Sequence, residues 1–487
     1  MQIINHIPFA ALGMGTAFTV LWGVADPVAA FAEVRTYTGV GVCTIGDIGT
    51  PAQAKNFAKE KALLNAREQA GVYLAAYTRT SGAKLAANEI SAITNNITSV
   101  VGEVRYSTTP GEVNGQPVIT YTATLSANVD TEGIKEWLKR DERDKSVIIS
   151  QNEKSEADIR KNLDKIEDLN RQYNQTSSKQ ERERIRNEYN ETDNEFLAVQ
   201  KLAEGNELYY KGDYDGAIRC FSEAIGLNPQ YAGAYNNRGN AYGKKGYSER
   251  ALADYSQAIA IDPKHASAYY NRGNEHYDRK EYNLAIADHE RALALKPGHI
   301  DALNNCGNAY QMLGDRKRAI AYYNKCLSLN PDYAKAYYNR GKAYYEEGEY
   351  DKAIADYNRA LAINSNDENT YIERGNAYSA KGESDRALAD YSQALKINPN
   401  SALAYYNRGE EYQSQRGDLD RAIAEYDKAI AIDPNYANAY FNRGLAYGKK
   451  GDYNKALADA KKCLQLSPDD EDAKKLLTAV ENAMRGQ

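Results

Sequence analysis

AYYNRG, residues 336–341, comes back six more times with small changes: AYNNRG at 234, AYYNRG at 268, ALNNCG at 302, TYIERG at 370, AYYNRG at 404 and AYFNRG at 439. Each copy ends in a glycine that belongs to a longer beat, Gly205, Gly239, Gly273, Gly307, Gly341, Gly375, Gly409 and Gly444. Alanines follow at 217, 251, 285, 319, 353, 387, 422 and 456. Prolines close the units at 229, 263, 297, 331, 399, 434 and 468, with Ser365 in the remaining slot. The spacing is 34 residues, once 35. A fixed period of this length means that one supersecondary unit is repeated and that neighbouring units share a core. The small residues predict two helices per unit that approach closely, with tyrosines such as Tyr337, Tyr344 and Tyr357 filling the space around Gly341, Ala353 and Ala360.

Period and small-residue slots resemble the tetratricopeptide repeat, matched eight times between residues 198 and 470, with 471–487 as a polar-faced capping helix. The resemblance implies an all-α superhelical solenoid in which the first helix of each unit lines a groove for partner proteins or peptides. Units of this kind cannot bury a face alone, so stability comes from stacking.

Against that pattern the residue before the glycine stands out. The family usually places leucine there; this chain has Arg238, Arg272, Arg340, Arg374, Arg408 and Arg443. Further on, in the second helix, lie Asp254, Asp288, Asp356, Asp390, Glu425 and Asp459. Repeat one has Glu204 and Cys220 in the two slots, and repeat four has Cys306 and Tyr322. Arginine and acid are thus absent from the same two repeats. Co-varying positions imply contact, and a guanidinium among packed helices needs a carboxylate. The expectation is a structural ladder of arginine–acid pairs, within or between adjacent repeats.

Two asparagine columns stand on the first helices. One is Asn237, Asn271, Asn305, Asn339, Asn407 and Asn442, broken by Glu373; the other includes Asn240, Asn274, Asn308 and Asn376. Beside them are Tyr270, Tyr338 and Tyr406. A side-chain amide offers donor and acceptor together and can clamp an extended peptide backbone. These residues are the groove-binding candidates; a tyrosine-lined groove also suits a glycan. The bland alternative is that they are repeat consensus with no ligand selected.

Outside the array the chain has two further regions. Residues 33–140 read as a small α/β domain. RTYTGVGVCTIG is a strand, a long helix runs from Pro51 to about Tyr77, and a short one is expected at 87–94. Two strands then flank the turn pair Asn114–Gly115, and a helix capped by Thr131 runs to Lys139. AKNFAKEKALLNAREQAGVYLAAYT, GEVRYS and YTATLSANVDTEGIKEWL resemble the α/β domain of certain outer-membrane lipoproteins and of flagellar assembly protein T. Residues 141–197 are charged and helical. Ile159, Leu163, Ile166 and Tyr173 form one seam, and Ile185, Tyr189, Thr192, Phe196 and Val199 another, with QTSS (175–178) between. Such seams serve either a hairpin leading into the repeats or a coiled coil that makes a homodimer.

The first 32 residues read as an export signal, with an apolar run Ile7–Val24 and Ala30-Phe31-Ala32 as the cleavage site, so the mature chain would begin at Glu33. MQIINH lacks the usual Lys or Arg, which leaves an uncleaved anchor as the alternative. Cys43, in VGVC, lacks the small residue a lipidation site needs. The other cysteines, Cys220, Cys306, Cys326 and Cys463, read as small buried hydrophobes, although Cys306 and Cys326 share a repeat in which a disulfide is open. His265, His276, His289 and His299 cluster near repeat three. His276 and His289 are expected as a packed, hydrogen-bonded pair, with a metal site as the sharper alternative.

A net charge of −6 argues against nucleic acid as partner. No nucleotide-binding, metalloprotease or nucleophile-elbow motif appears, and no cofactor is implied. The sequence reads as a non-catalytic scaffold of the bacterial cell envelope, periplasmic or at the cell surface. The two alternatives are a cell-wall glycan-binding module and a component of a flagellar or secretion-type assembly.

Overall fold

The computed structural model describes residues 35–45, 48–81, 98–113, 116–129 and 142–485. The expected signal segment, the Asn114–Gly115 turn and the helices at 87–94 and 131–139 lie outside the described residues. The chain divides into two units, Met1–Gln230 and Tyr231–Gln487.

In the first unit three strands, β1 (Arg35–Ile45), β2 (Thr98–Val113) and β3 (Gln116–Val129), form an antiparallel sheet in the order β1-β3-β2. Helix α1 (Pro51–Ser81) lies across it. Ala54, Ala58, Ala62, Ala66 and Ala70, one turn apart, form a buried stripe along α1. Gly39 and Gly41 of β1 meet that stripe. A Cβ on Gly39 would sit 1.8 Å from the Ala62 carbonyl oxygen, so the helix can approach the strand only where side chains are missing. This inverts the strand's polarity. Gly39, Gly41 and Cys43 face the helix, while Val40 and Val42 are 49% and 44% exposed.

Helices α2 (Glu142–Gln175) and α3 (Lys179–Tyr210) fold back as a hairpin around residues 176–178. Arg186 donates to the Tyr173 hydroxyl at 2.7 Å, and Lys165 pairs with Glu188 at 3.3 Å. Ser178 caps α3 by accepting from the Glu181 amide. Both apolar seams are buried within the chain: Ile159, Leu163, Ile166 and Tyr173 on one helix, Ile185, Tyr189, Phe196 and Val199 on the other. Phe57 of α1 packs edge-on against Tyr189 and Phe196, with ring centroids 6.4 and 4.9 Å away. The seam thus serves the hairpin and its docking to α1. α3 continues without a break past residue 197 and becomes the first helix of repeat one, with α4 (Tyr214–Leu227) as its second.

The second unit stacks seven helix pairs: α5/α6 (Ala232–Lys244, Ser248–Ile261), α7/α8 (Ala266–Asp278, Tyr282–Leu295), α9/α10 (Ile300–Met312, Arg316–Leu329), α11/α12 (Ala334–Glu346, Tyr350–Ile363), α13/α14 (Glu368–Ala380, Ser384–Ile397), α15/α16 (Ala402–Ser414, Leu419–Ile432) and α17/α18 (Ala437–Lys450, Tyr453–Leu466). α19 (Glu471–Arg485) closes the stack, burying Ala473, Leu476 and Val480. The result is a helical solenoid of repeat units after a small β region. Aromatic rings lie on the repeat glycines: a Cβ on Gly239, Gly307, Gly341, Gly375 or Gly409 would come within 2.8 Å of Cε1 of Tyr255, Tyr323, Tyr357, Tyr391 or Tyr426. Most turns between paired helices carry a glycine at positive φ, such as Gly348 at 76°. Repeat three has Lys280 there instead, at φ 63°, the one non-glycine residue at positive φ among the described residues.

All five cysteines are free and buried, including Cys306 and Cys326, so the shared repeat holds no disulfide. Among the described residues no helix is long and apolar enough to cross a membrane.

Candidate functional site

The first helices present four kinds of side chain: arginines, asparagines, tyrosines and a few acids. The arginines are turned inward to their own second helix. Arg238 Nε and Nη2 each lie 2.8 Å from Asp254 Oδ2 and Oδ1, and the same two-pronged geometry joins Arg272 to Asp288, Arg340 to Asp356, Arg374 to Asp390 and Arg443 to Asp459 at 2.6–2.9 Å. Arg408 places both nitrogens on one oxygen of Glu425, at 2.9 and 2.7 Å. The longer glutamate goes with the extra residue in that repeat, which widens the spacing from sixteen to seventeen.

A third nitrogen reaches back to the preceding repeat. Nη1 of Arg272, Arg340, Arg374, Arg408 and Arg443 donates to Ser256, Asn324, Asn358, Ser392 and Asp427. Each acceptor sits two residues after the acid slot of its own repeat, and that regular polar position was the sequence signal available for it. At least one tyrosine ring lies beside each guanidinium, and Arg340 has two, 5.5 Å from the Tyr337 ring centroid and 6.0 Å from that of Tyr344. The arginine is therefore bound within its repeat, tied to the previous one and covered by rings. It is not available to a ligand.

In repeat four, Cys306 leaves the corresponding acceptor, Glu290, without a guanidinium. Tyr310 and Tyr322 take its place, donating to Glu290 Oε1 at 3.0 and 2.7 Å with their rings stacked 5.5 Å apart.

The asparagine columns form a seam between repeats. Asn271 Nδ2 donates to Asn236 Oδ1 and Asn339 Nδ2 to Asn304 Oδ1, both at 3.0 Å. Asn305 donates to Asn274 at 2.8 Å, Asn407 to Asn376 at 3.0 Å, and Asn442 to the Tyr406 hydroxyl at 2.9 Å. Asn237 is buried and accepts from Asn236. Asn240, Asn308 and Asn376 also accept from the core hydroxyls of Tyr255, Tyr323 and Tyr391 at 2.8–2.9 Å. Each amide is held in one orientation by a neighbour. Asn271, Asn339 and Asn407 are only half-buried.

Tyr270, Tyr338 and Tyr406 are half-buried between repeats. Tyr270 lies against His299, with centroids 4.6 Å apart, Tyr338 against Tyr357 at 6.1 Å, and Tyr406 against Tyr426 and Tyr436 at 5.9 and 5.0 Å. Burial pushes the Tyr338 and Tyr406 hydroxyls up from the usual phenol value, so these two present neutral edges at neutral pH.

Glu411 was not among the expected site residues. It is 1% exposed and takes the slot that alanine fills in neighbouring repeats, Ala377 and Ala446, a break in the repeat that was visible beforehand. Ser379 donates to its Oε2 at 2.5 Å, and its Oε1 has no partner. Burial, and then Glu411, raise the carboxyl of the adjacent Glu410 above the usual range.

His276 and His289 do not form the expected hydrogen-bonded pair. His265 and His299 cap helices, their Nδ1 accepting from the Ala268 and Ala302 amides. His276 Nδ1 lies 2.6 Å from Glu281, while both ring nitrogens of His289 are buried without a partner. The helical phase sends the two rings to different neighbours. Among the described residues no cluster of histidine, cysteine and acid could hold a metal.

With this geometry in view, the comparisons agree on the repeat. The TPR repeat family matches residues 205–246, 273–314, 341–382, 375–415 and 414–451, and the tetratricopeptide repeat matches 232–265, 300–333, 322–355 and 437–470. Together they span more than half the chain. Among solved structures, YrrB, described as a TPR protein with an unusual peptide-binding site, is 28% identical; the match covers 38% of this chain and 95% of that one, with a TM-score of 0.34. MamA is 30% identical over 33% of this chain and 94% of its own, with a TM-score of 0.32. A tetratricopeptide repeat protein from Parabacteroides merdae is 22% identical over 51% and 98%, with a TM-score of 0.42. Proteins built on these repeats serve as interaction scaffolds, and no enzyme family is indicated. With helix pairs every 34 residues, rings on the repeat glycines and the family matches over more than half its length, the chain belongs to the tetratricopeptide repeat proteins.

Proposed function

We propose that this protein is an exported, non-catalytic scaffold of the bacterial cell envelope, periplasmic or at the cell surface, which holds an extended segment of an envelope partner along the first helices of the second unit. The apolar segment Ile7–Val24 and the Ala30-Phe31-Ala32 site support export. The observation that carries the binding reading is the orientation of the asparagines. Asn271, Asn339 and Asn407 each commit Nδ2 to the preceding repeat, which leaves a fixed, half-exposed carbonyl edge in repeats three, five and seven. Groups already held in place lose little freedom on binding, and a row of fixed amides suits the backbone of an extended chain.

The glycan reading is weaker, because stacking on a sugar needs open ring faces and Tyr338 and Tyr406 turn theirs against Tyr357, Tyr426 and Tyr436. The flagellar or secretion-type reading rests on the N-terminal resemblance and gains no support from the repeat geometry.

The test uses the full chain as bait against envelope extract, beside Asn339→Ala/Asn407→Ala, with circular dichroism to establish that the variant stays folded. One stoichiometric protein, lost in the folded variant, is the expected result. Equal capture by both proteins would remove the asparagine row from the binding surface.

A further inference from the structure

The first unit holds a cavity of about 390 Å³ that the scaffold reading does not use. Its walls come from α1, α2 and the C-terminal half of α3. That volume is in the range of small-molecule pockets, and its lining combines opposite charges.

Glu60 is the acidic end. It is only 9% exposed and forms no salt bridge among the described residues. Burial raises its carboxyl above the usual range, and Arg67, Lys59 and a hydrogen bond from Gln200 oppose that rise. Gln200 is itself fixed, because its Oε1 accepts from Asn56 Nδ2 at 3.0 Å. A short relay, Asn56 to Gln200 to Glu60, thus aims the carboxylate.

Arg67 is the basic end. It stands two turns along α1 from Glu60, about 10 Å by helical rise. Its Nε is buried and has no acceptor, a rare condition for a guanidinium donor. Two further cations line the cavity: Lys201, paired with Glu204 and Glu223, both at 2.9 Å, and Lys59, beside Glu60 in the chain. Ser155 and Asn206 are buried in the same wall, and Leu63 and Ile159 supply an apolar side.

Glu60, with no salt-bridge partner among the described residues, and Arg67, whose Nε has no acceptor, line one cavity. Among those residues Glu60 has only the Gln200 amide as hydrogen-bond partner, and a ligand carrying both charges would give each group an ionic one. We infer that this cavity binds a small zwitterion of the amino-acid class, a free amino acid or a dipeptide, with its carboxylate on Arg67 and its ammonium on Glu60. The assignment is independent of what the repeats hold.

The experiment is calorimetric titration of the full chain with the twenty amino acids and with glycine- and alanine-based dipeptides, followed by blocked analogues of any binder. The expected result is saturable binding by a subset, lowered at least tenfold by Arg67→Met and by Glu60→Gln. N-acetylation or amidation of the ligand should lower it similarly, since each removes one charge. The absence of heat from every probe would overturn the inference. So would equal binding of blocked and unblocked ligands to the wild-type chain, a comparison that needs no variant to fold.

Discussion

Arg340 and Asp356 meet through two parallel hydrogen bonds, Nε to Oδ2 at 2.7 Å and Nη2 to Oδ1 at 2.6 Å, while Nη1 of the same guanidinium reaches Asn324 in the repeat before. One side chain thus joins the two helices of its repeat and ties that repeat to its neighbour. In a solenoid, where stability is a sum of local and nearest-neighbour terms, such a residue acts on both. Asp356 is 5% exposed. Arg340→Leu leaves that carboxylate buried and unmatched, and should cost about 2–3 kcal/mol. Arg340→Leu with Asp356→Leu removes both charges and should cost less than the single change. Urea unfolding followed by circular dichroism reads the difference. Strictly additive losses from the two single variants would argue that the pair is not coupled.

Repeat four tests the same relationship in reverse. Cys306 is fully buried, and Glu290, which would face a guanidinium there, is held by Tyr310 and Tyr322. Cys306→Arg brings in a cation with Glu290 within reach but no carboxylate at position 322. It should destabilise the array by about 2 kcal/mol. Adding Tyr322→Asp supplies the missing partner, so the double variant should melt above the single one. A double variant that melts at or below Cys306→Arg would show that the local packing of repeat four, and not the absent acid, excludes arginine.

The repeats were legible because the period is a packing requirement. Gly341 must be small since the Tyr357 ring lies where its Cβ would be, and that demand recurs every 34 residues. The amide seam was not legible. The acceptor for the column asparagine alternates between the residue before the column (Asn236, Asn304) and the second column (Asn274, Asn376), a choice set by helix phase and not by residue type. The seams at 159–173 and 185–199 gave a spacing that serves a hairpin or a dimer equally. The second seam meets Phe57 here, more than a hundred residues earlier in the chain. Glu60 and Arg67 read as ordinary surface charges of an Ala/Lys/Glu-rich helix until α2 and α3 are placed beside them.

Lys280 occupies a turn where other repeats use glycine. Its φ of 63° puts the side chain in a left-handed conformation that costs a residue with a Cβ about 1 kcal/mol or more. Lys280→Gly should therefore raise stability by about 1 kcal/mol, and Gly348→Lys, at φ 76° in repeat five, should lower it by a similar amount. Thermal melts of the two variants should move in opposite directions. Unchanged melting of Lys280→Gly would mean that the gain in backbone freedom of the unfolded chain cancels the relieved strain.

His289 fills the slot that Tyr255, Tyr323, Tyr357, Tyr391 and Tyr426 fill elsewhere, packed on Gly273 with its Cε1 2.8 Å from the position of a Cβ. Burial pushes its pKa down to about 4; the Asp288 charge opposes this and that of His299 adds to it. The unfolded imidazole takes up a proton near its ordinary 6.5, the folded one only near 4. Between those values unfolding binds a proton, so this residue's contribution to stability is intact above about pH 6.5 and falls as the pH drops. By pH 5 the loss is about 2 kcal/mol. His289→Tyr should abolish that component. It should also stabilise the array at neutral pH by about 1 kcal/mol, because Asn274 Oδ1 already accepts from Asn305, just as Asn376 Oδ1 accepts from both Asn407 and the Tyr391 hydroxyl. Urea midpoints of wild type and variant from pH 4.5 to 8 give the test. The arginine–acid pairs contribute equally to both proteins, so the gap between the two curves should widen below pH 6.5. A constant gap would mean that His289 does not titrate differently in the folded and unfolded chains.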